Sequence, residues 1–513
     1  MRIGIDVGGT HTDAVLVDNL TVVSSYKALT TRDVRQGIIE ALDAVLTDAR
    51  VQPAAIEAVM IGTTHFTNAV IERKHLSETA IIRACLPTGS GLPPMVDWPA
   101  DIAEVVGNHS YMVSGGHLFN GKHIAELNDA EIDKVIADIA AKNVNDIAVA
   151  AAFSPANAEH EIIISEKIRE KIPYANISLS HEIGRLGILE RENAALLNAS
   201  LGNLADRVVS NMRTALEERH IDCPFYVSQN DGTLMSADYI ARYPAFTFSS
   251  GPTNSLRGAA ILSGVENAIV VDIGGTTSDV GVLADGFPRE SNSHIDVGGI
   301  RTNFRMPDIL SIGLGGGSLV QNSGITIGPQ SVGHCLVTEG LVFGGDTLTT
   351  TDIVVANGSC ELGDKDCISQ LDRDEVEIAT QTIHNMIDDA IDMMRPSEEP
   401  VPVILVGGGS ILISRKLKTA SLLIQPEHAE VANAIGAVNA QVGGEVECIV
   451  SYSKIKRETA LKELTEEAEQ KAMAAGADES SLRVLDVEET TMSYMDDDAA
   501  RLRIKVVGDL KLT

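Results

Sequence analysis

One turn occurs twice in this chain. IDVGGTHTDAVLV at 5–17 and DIGGTTSDVGVL at 272–283 share the pattern Asp-x-Gly-Gly-Thr-x-(Ser/Thr)-Asp, each following an apolar run of strand character. Between two strands such a turn makes a tight hairpin whose glycines let backbone N–H groups close on a bound group. The Thr hydroxyl adds a donor, and the resulting nest suits a phosphate. Asp6 and Asp272 end their strands, where a carboxylate facing a cleft can hold Mg²⁺ directly or through water. Charge requires the metal, since a carboxylate beside a polyphosphate is otherwise repelled. A single Asp-Gly-Gly turn also makes an ordinary hairpin. Two of them, one per half, can grip one triphosphate from both sides of an interdomain cleft. A third cluster, Gly407-Gly408-Gly409-Ser410 after VPVILV, offers bare backbone on which an adenine or ribose can lie.

A chain of 513 residues exceeds what one core supports, so two or three domains are expected. Apolar residues make up 44% but aromatics only 4%, with 44 glycines, a balance that favours α/β architecture over β-sandwiches. The formal charge of -32 would repel a nucleic-acid backbone or an anionic membrane, and both partners are set aside. The 6 cysteines include no C-x-x-C pair, which argues against a zinc ribbon or a disulfide framework. MRIGIDVGG lacks the charge and apolar segment of a leader, and no run of about 18 uncharged apolar residues follows. A soluble, cytoplasmic protein is expected.

The patterns alternate between strand and helix. Residues 2–7 and 14–23 read as strands, and RQGIIEALDAVLTDA (35–49) has helical spacing. AVMIGTT is a strand leading to a helix through THFTNAVIERK; TAIIRA and DIAVAAAF are strands flanking a loop-rich stretch at about 87–123 that carries several His. LGILERENAALLNASLGNLADRVVSNMRTALEER is one or two amphipathic helices, and HAEVANAIGAVNAQVG (428–443) is small-residue-rich and helical in period. The alternation argues for largely parallel, covered sheets. The tail, with KIKRETALKELTEEAEQKAMAAG and two strand candidates, reads as a small appended α/β element.

The order of phosphate turn, connecting helix, phosphate turn, Gly-Gly-Gly-Ser turn and Ala/Gly-rich helix resembles the actin, sugar kinase and Hsp70 superfamily of ATP-binding folds. The closer resemblance is to the hydantoinase A and 5-oxoprolinase family. It is carried by IDVGGTHTDAVLV, IGTTHFTNAVIER, SLSHEIGRLGILERENAALLNASL, FSSGPTNSLRGAA, VVDIGGTTSDVGVL, IGLGGGSLV with ITIGPQSVGHCL, VILVGGGS and HAEVANAIGAV. The resemblance implies two actin-like (ribonuclease H-like) halves around a nucleotide cleft, 1–185 and 186–450, with the appended element at 451–513. It also implies an ATP- and Mg²⁺-dependent enzyme subunit that phosphorylates a small cyclic amide, such as a hydantoin or 5-oxoproline, and so activates it for ring opening. The resemblance further implies that a hydantoinase B-like subunit or domain completes the opening, so an oligomer with a hydantoinase B-type or other partner subunit is expected, the tail having no segment of that kind.

By matching positions, Asp6 and Asp272 would organise Mg²⁺ and act in catalysis, with Asp272 the first choice of general base. Gly8, Gly9, Thr10, Thr12, Gly274, Gly275, Thr276 and Thr277 would hold phosphates, and Gly407, Gly408, Gly409 and Ser410 the nucleoside. Asp13 and Asp279 close the turns, as Asx residues or as further polar groups near the metal. The sequence departs from the family at Gln330, where an acidic residue is usual, and at Gly333-His334-Cys335-Leu336, which leaves the substrate open.

Other polar groups read as cleft candidates are His65, His181 with Glu182, and His334 beside Cys335. None forms an i, i+4 His pair or a Cys/His cluster, which favours capping or core hydrogen bonding over metal. Cys335 as a nucleophile is disfavoured because sequence neighbours on a strand face opposite ways. Glu190, Arg191 and Glu192 in ILEREN read either as a helix start near the cleft or as a solvated, salt-bridged face. The alternative function is a nucleotide-dependent regulatory or reactivating factor acting on a protein partner; a small-molecule kinase that releases a stable product is a third.

Overall fold

The computed structural model describes residues 1–8, 11–19, 21–29, 34–291, 294–492 and 498–511. β1 (Arg2–Val7), β2 (His11–Asp18) and β3 (Thr21–Leu29) form an antiparallel meander, and β4 (Ala58–Thr63) returns parallel to β1 after helix Val34–Ala49. The single strand expected at 14–23 is thus two. The chain turns at Asn19, whose φ of 54° falls in the left-handed region that Asn tolerates. β5 (Thr79–Leu86), β6 (His109–Ser114), β7 (Asp146–Ala151) and β8 (Asn176–Leu179) form a separate parallel sheet in the order β6-β5-β7-β8. The stretch expected to be mainly loop, 87–123, therefore contributes β6 and also helix Ala100–Val105.

β9 (Phe225–Ser228) and β10 (Thr233–Ser236) rejoin the first sheet, β9 lying parallel to β4. The second glycine turn joins β11 (Ala268–Ile273) to β12 (Ser278–Ala284), which continues to β13 (Phe287–Pro288). Two small hairpins, β14 (Ile295–Val297) with β15 (Ile300–Thr302) and β17 (Ser318–Gln321) with β18 (Thr326–Ser331), bracket β16 (Ile309–Ile312), which pairs with β12. β19 (Val401–Val406) is parallel to β11, and β20 (Ala420–Ile424) to β19. β21 (Gln441–Ser451), β22 (Arg483–Thr491) and β23 (Ala499–Gly508) extend the first sheet beyond β10.

The repeat in sequence is a repeat in topology. β3-β2-β1-β4-β9 and β13-β12-β11-β19-β20 have the same order and sense, with an antiparallel hairpin at one side and parallel strands at the other. Five of six residues of β1 and all six of β4 are buried, as befits strands covered on both faces. The tail lies on the first sheet: helix Arg457–Ala474 packs so close to β21 that a Cβ on Gly444 would stand 2.5 Å from Ala472 N. Buried Arg503 on β23 pairs with Glu290 at 2.8 Å and with Glu445, Asp486 and Glu488 at 3.0 Å each, fastening the tail to the body.

Two helices join the repeated units. Helix Ser250–Ser263 covers the second sheet through Leu256 and Ala259, and helix Ala432–Val438 covers β1 and β4 through Ala434, Ile435 and Val438. They cross backbone to backbone. A Cβ on Gly258 would lie 2.6 Å from the Ala432 carbonyl carbon, and one on Gly436 would lie 2.8 Å from Gly258 N. The helix expected over 428–443 is shorter, because His428 is left-handed (φ 64°) and Gln441 opens β21. Gly258→Ala is expected to destabilise the protein by about 1–3 kcal/mol or more through overpacking. Urea unfolding checks this, with Gly91→Ala, whose added Cβ meets nothing within 4 Å, as the neutral control.

Candidate functional site

Gly8 and Asp13 of the first hairpin face the second turn, Gly274 to Thr277, across the joint. In each hairpin, the Asp one residue before the end of the first strand is registered opposite the Asp near the start of the second: Asp6 with Asp13, and Asp272 with Asp279. Behind each stands a glycine on the parallel neighbour, Gly62 beside Asp6 and Gly407 just past Val406, the partner of Asp272. A Cβ at Gly62 would overlap the Asp6 carboxylate, and one at Gly407 (φ 82°) would overlap that of Asp272. Both carboxylates thus occupy space that any larger residue would fill.

Side chains of the two joint helices hold them. Asn254 Nδ2 donates to Asp6 Oδ1 at 3.3 Å, and the Ser255 side chain hydrogen-bonds Asp272. Asn433 Nδ2 donates to Asp6 Oδ2 at 3.0 Å and to Asp13 Oδ2 at 2.7 Å. Lys27 Nζ donates to Asp13 Oδ1 at 2.6 Å and to the Glu430 carbonyl at 3.1 Å, while Ser311 Oγ donates to Asp279. Burial pushes the Asp6 carboxyl up to about 6, with the charge of Asp13 adding to it. Burial likewise pushes Asp272 to about 6, helped by Asp279, and raises Asp279 itself. Buried carboxylates that repel one another are a donor set suited to a hard divalent cation. A bound cation would offset both the burial and the repulsion, so the residues fit Mg²⁺.

A cleft of about 210 Å³ opens above this floor. Gly8, Asp272, Gly274, Gly275, Thr276, Thr277, Gly407 and Gly408 line it, together with Asp13, Lys27, Ser255 and Asn433. Asp6 lies beneath the wall at 4% exposure, and Thr12 is buried at the register position of Val7. Gly409 packs under the second turn, 2.8 Å from Gly274 O at its Cβ position, and buried Ser410 accepts a hydrogen bond from Gln425 at 2.9 Å. Gly9 and Thr10 lie outside the described residues. The second turn is backed by IGLGGGS: Gly316 N donates to Gly274 O at 3.0 Å and Gly317 N to Gly275 O at 2.7 Å. A side chain at Gly315 would press on Thr276 N at 2.5 Å, so this glycine run serves to support the turn.

Asn254, Ser255, Asn433 and Lys27 are the residues that sequence reading missed. A signal existed for three of them: polar side chains inside the small-residue runs GPTNSLRGAA and EVANAIGAV have no reason to be buried without a partner.

The remaining candidates take other roles. His65 hydrogen-bonds Thr63 through Nδ1, and burial pushes it down to about 4. His181 bonds buried Glu161 at 2.6 Å, and Glu182 pairs with Arg242 at 2.7 Å. His334 and Cys335 lie in a 3-10 turn, Gly333–Cys335, where the ring stands 3.5 Å from the sulfur; the opposite-faces argument, which assumed a strand, does not apply. The solvated reading of ILEREN fails for two of its three charges. Arg191 and Glu192 are fully buried, Glu192 paired with Arg83, and Arg191 donating to Ser180 Oγ and to the carbonyls of Ala151, Arg185 and Leu186.

Comparison with known proteins places these features in a wider group. The family model for the hydantoinase/oxoprolinase N-terminal region matches residues 2–172, and the hydantoinase/oxoprolinase model matches 191–398. The caprolactamase subunit alpha of Pseudomonas jessenii is 25% identical over 380 residues, covering 70% of this chain and 54% of that protein. The 5-oxoprolinase of Dictyostelium discoideum is 24% identical over 397 residues, 65% of this chain and 31% of that one. The chain spans about half the length of the first curated relatives it matches, 57% and 54%. The crystal structure of ATP-dependent caprolactamase from Pseudomonas jessenii superposes with a TM-score of 0.81 at 18% identity, over 100% of this chain and 88% of that one, so the two share a mixed α/β fold. Among the described residues no helix is long and apolar enough to cross a membrane.

Asn433→Asp replaces donated hydrogen bonds to Asp6 and Asp13 by a third negative charge of the same size. It is expected to destabilise the protein by about 1–3 kcal/mol at neutral pH, with Mg²⁺ restoring part of the loss. Urea unfolding with and without millimolar Mg²⁺ checks this; unchanged stability would remove Asn433 from the carboxylate clamp.

Proposed function

From the premise that this chain belongs to the hydantoinase/oxoprolinase family, we propose that it is an ATP- and Mg²⁺-dependent enzyme subunit. Its reaction is phosphorylation of a small cyclic amide, or a related carbonyl compound, which activates the ring for hydrolytic opening with a partner subunit. The observation that carries the reading is the convergence on one cleft of Gly8 and Asp13 from the first hairpin and Asp272 and Gly274 to Thr277 from the second, with Asp6 buried beneath. The lactam-named relatives support the substrate class, and the subunit designation of one supports a partner.

An unstrained cyclic amide is a poor electrophile. In its enol-like tautomer the ring oxygen can attack the γ-phosphorus of ATP: a P–O bond forms to the ring, the P–O bond to ADP breaks, and the hydroxyl proton leaves. Asp272 is the first choice to accept that proton. Its carboxylate faces the cleft, where the transferring phosphoryl group would lie. Asp6 and Asp272 would hold Mg²⁺, which supplies charge neutralisation at the phosphates when bound. The backbone N–H of Gly275 and the hydroxyls of Thr276 and Thr277 would orient the phosphates, with Gly8 and Gly274 in the same wall, and the bare backbone at Gly407 and Gly408 would carry the nucleoside. Lys27 adds a positive charge at the phosphate wall.

The purified chain should release ADP from Mg-ATP faster with one member of a panel of hydantoins, 5-oxoproline and other lactams than without it. Asp6→Ala and Asp272→Ala should each lower that rate at least about 100-fold, with unfolding midpoints showing that both variants fold. Wild-type rates in both variants would overturn the assignment. ADP release that responds to a protein partner and to no ring compound would favour the regulatory alternative.

A further inference from the structure

A second constellation lies away from the nucleotide cleft, at the edge of the four-stranded parallel sheet. In the order β6-β5-β7-β8 the connections from β5 and from β7 run to opposite sides, which leaves a crevice at the carboxyl ends of these strands. The segment after β6 folds over it. Gly115 and Gly116 take φ values of 138° and 88°, and a Cβ on Gly116 would lie 2.7 Å from Ala84 O, so the chain crosses the strand ends in close contact. His117 N donates to Ala152 O at 2.9 Å, and an isolated bridge pairs His117 with His123. From the other side, the chain leaving β7 enters helix Glu159–Lys171, bringing Glu159 and His160 in its first turn.

The side chains converge. The ring centroids of His117 and His123 are 5.0 Å apart, those of His117 and His160 4.3 Å, and those of His123 and His160 4.7 Å. One nitrogen of each ring and one carboxylate oxygen of Glu159 all lie within 4.8 Å of one another. His123 Nε2 is 3.1 Å from Glu159 Oε2, and His117 Nε2 is 3.8 Å from the same atom. Metal–ligand bonds of about 2.0–2.1 Å in a tetrahedron place ligand atoms about 3.3 Å apart, so both spacings suit a shared ion. His117 is decisive: it has no solvent exposure, yet neither of its ring nitrogens has a hydrogen-bond partner. A buried imidazole left in that state is costly unless something takes its lone pair.

We propose that His117, His123 and Glu159 bind a divalent transition-metal ion of the Zn²⁺ class, at a site separate from the Mg²⁺-nucleotide cleft. Two imidazoles and one carboxylate favour Zn²⁺ over Mg²⁺ or Ca²⁺, which prefer all-oxygen shells. Glu126 Oε1 lies 3.0 Å from His123 Nδ1; with the proton held there by the carboxylate, the lone pair of Nε2 is free for the ion. His160 plays a different part. Its Nδ1 accepts a hydrogen bond from Gly116 N–H at 2.8 Å, so the neutral ring carries its proton on Nε2 and is a donor, to Glu159 or to a metal-bound water, rather than a ligand. The ion would fasten the segment after β6 to the helix after β7 and close the crevice with one coordination position left to water.

The test uses the untagged full chain, stripped with a chelator and titrated with Zn²⁺ by calorimetry and with Co²⁺ by visible absorption. One saturable equivalent is expected, with Co²⁺ giving the intense d–d bands of a low-coordinate nitrogen and oxygen site. His117→Ala and Glu159→Gln should abolish that equivalent, Glu126→Gln should weaken it about 10-fold, and exposed His220→Ala should leave it unchanged. Mg-nucleotide binding, retained in the two ligand variants, would show that they fold and that the two sites are independent. Absence of saturable Zn²⁺ binding by the wild-type chain, or retention of the equivalent in His117→Ala, would overturn the site.

Discussion

The contact on which the architecture depends is the crossing of two short helices without side chains between them. Gly258 and Gly436 let helix Ser250–Ser263 and helix Ala432–Val438 meet backbone on backbone, and each helix is at the same time the cover of one of the two repeated sheets. Bulkier residues would push the sheets apart, and the hairpin mouths with them. The small-residue character of both segments is therefore a condition for the turns to share a cleft.

At that cleft the molecule tolerates an arrangement that a core would avoid. Two carboxylates, Asp6 buried and Asp272 half-buried, each opposed by a second Asp across its hairpin, are held by neutral amides and a hydroxyl, while Lys27 pairs with Asp13. Amide and hydroxyl donors fix where the oxygens point without cancelling their charge. The site keeps its appetite for a cation, whereas full pairing with arginine, as Glu192 has with Arg83 a few strands away, would satisfy the carboxylate and end its usefulness.

How far the sequence foretold this depends on the range of the interactions. The second turn, the strand entering each turn, and the position of the glycine cluster after VPVILV were legible because a hairpin is a local device whose residues are neighbours in the chain. The repeated strand order followed from the repeated motif. Less legible was the way β9, β10 and β21 return to a sheet begun at residue 2, since parallel pairing over such separations leaves no local pattern. Asn254 and Asn433 were quoted among the motifs but not recognised as partners of Asp6, because their role exists only once the two helices have crossed. ILEREN misled in a related way: three charges in a row suggest water, yet Arg191 and Glu192 find their partners on β7 and β5. The histidines at 117, 123 and 160 have no ligand spacing along the chain, and only the crevice of the parallel sheet brings them together.

Asn254 and Ser255 are consecutive residues, yet one holds the carboxylate of the first sheet and the other that of the second. Their Cα atoms are about 3.8 Å apart, a span that no motion of the sheets can lengthen. Any rocking of the two sheets that preserves these bonds must swing about that single peptide, as a pair of jaws swings about its pin. The spacing of the two acids is thereby set within one turn of helix, whatever separates the sheets elsewhere.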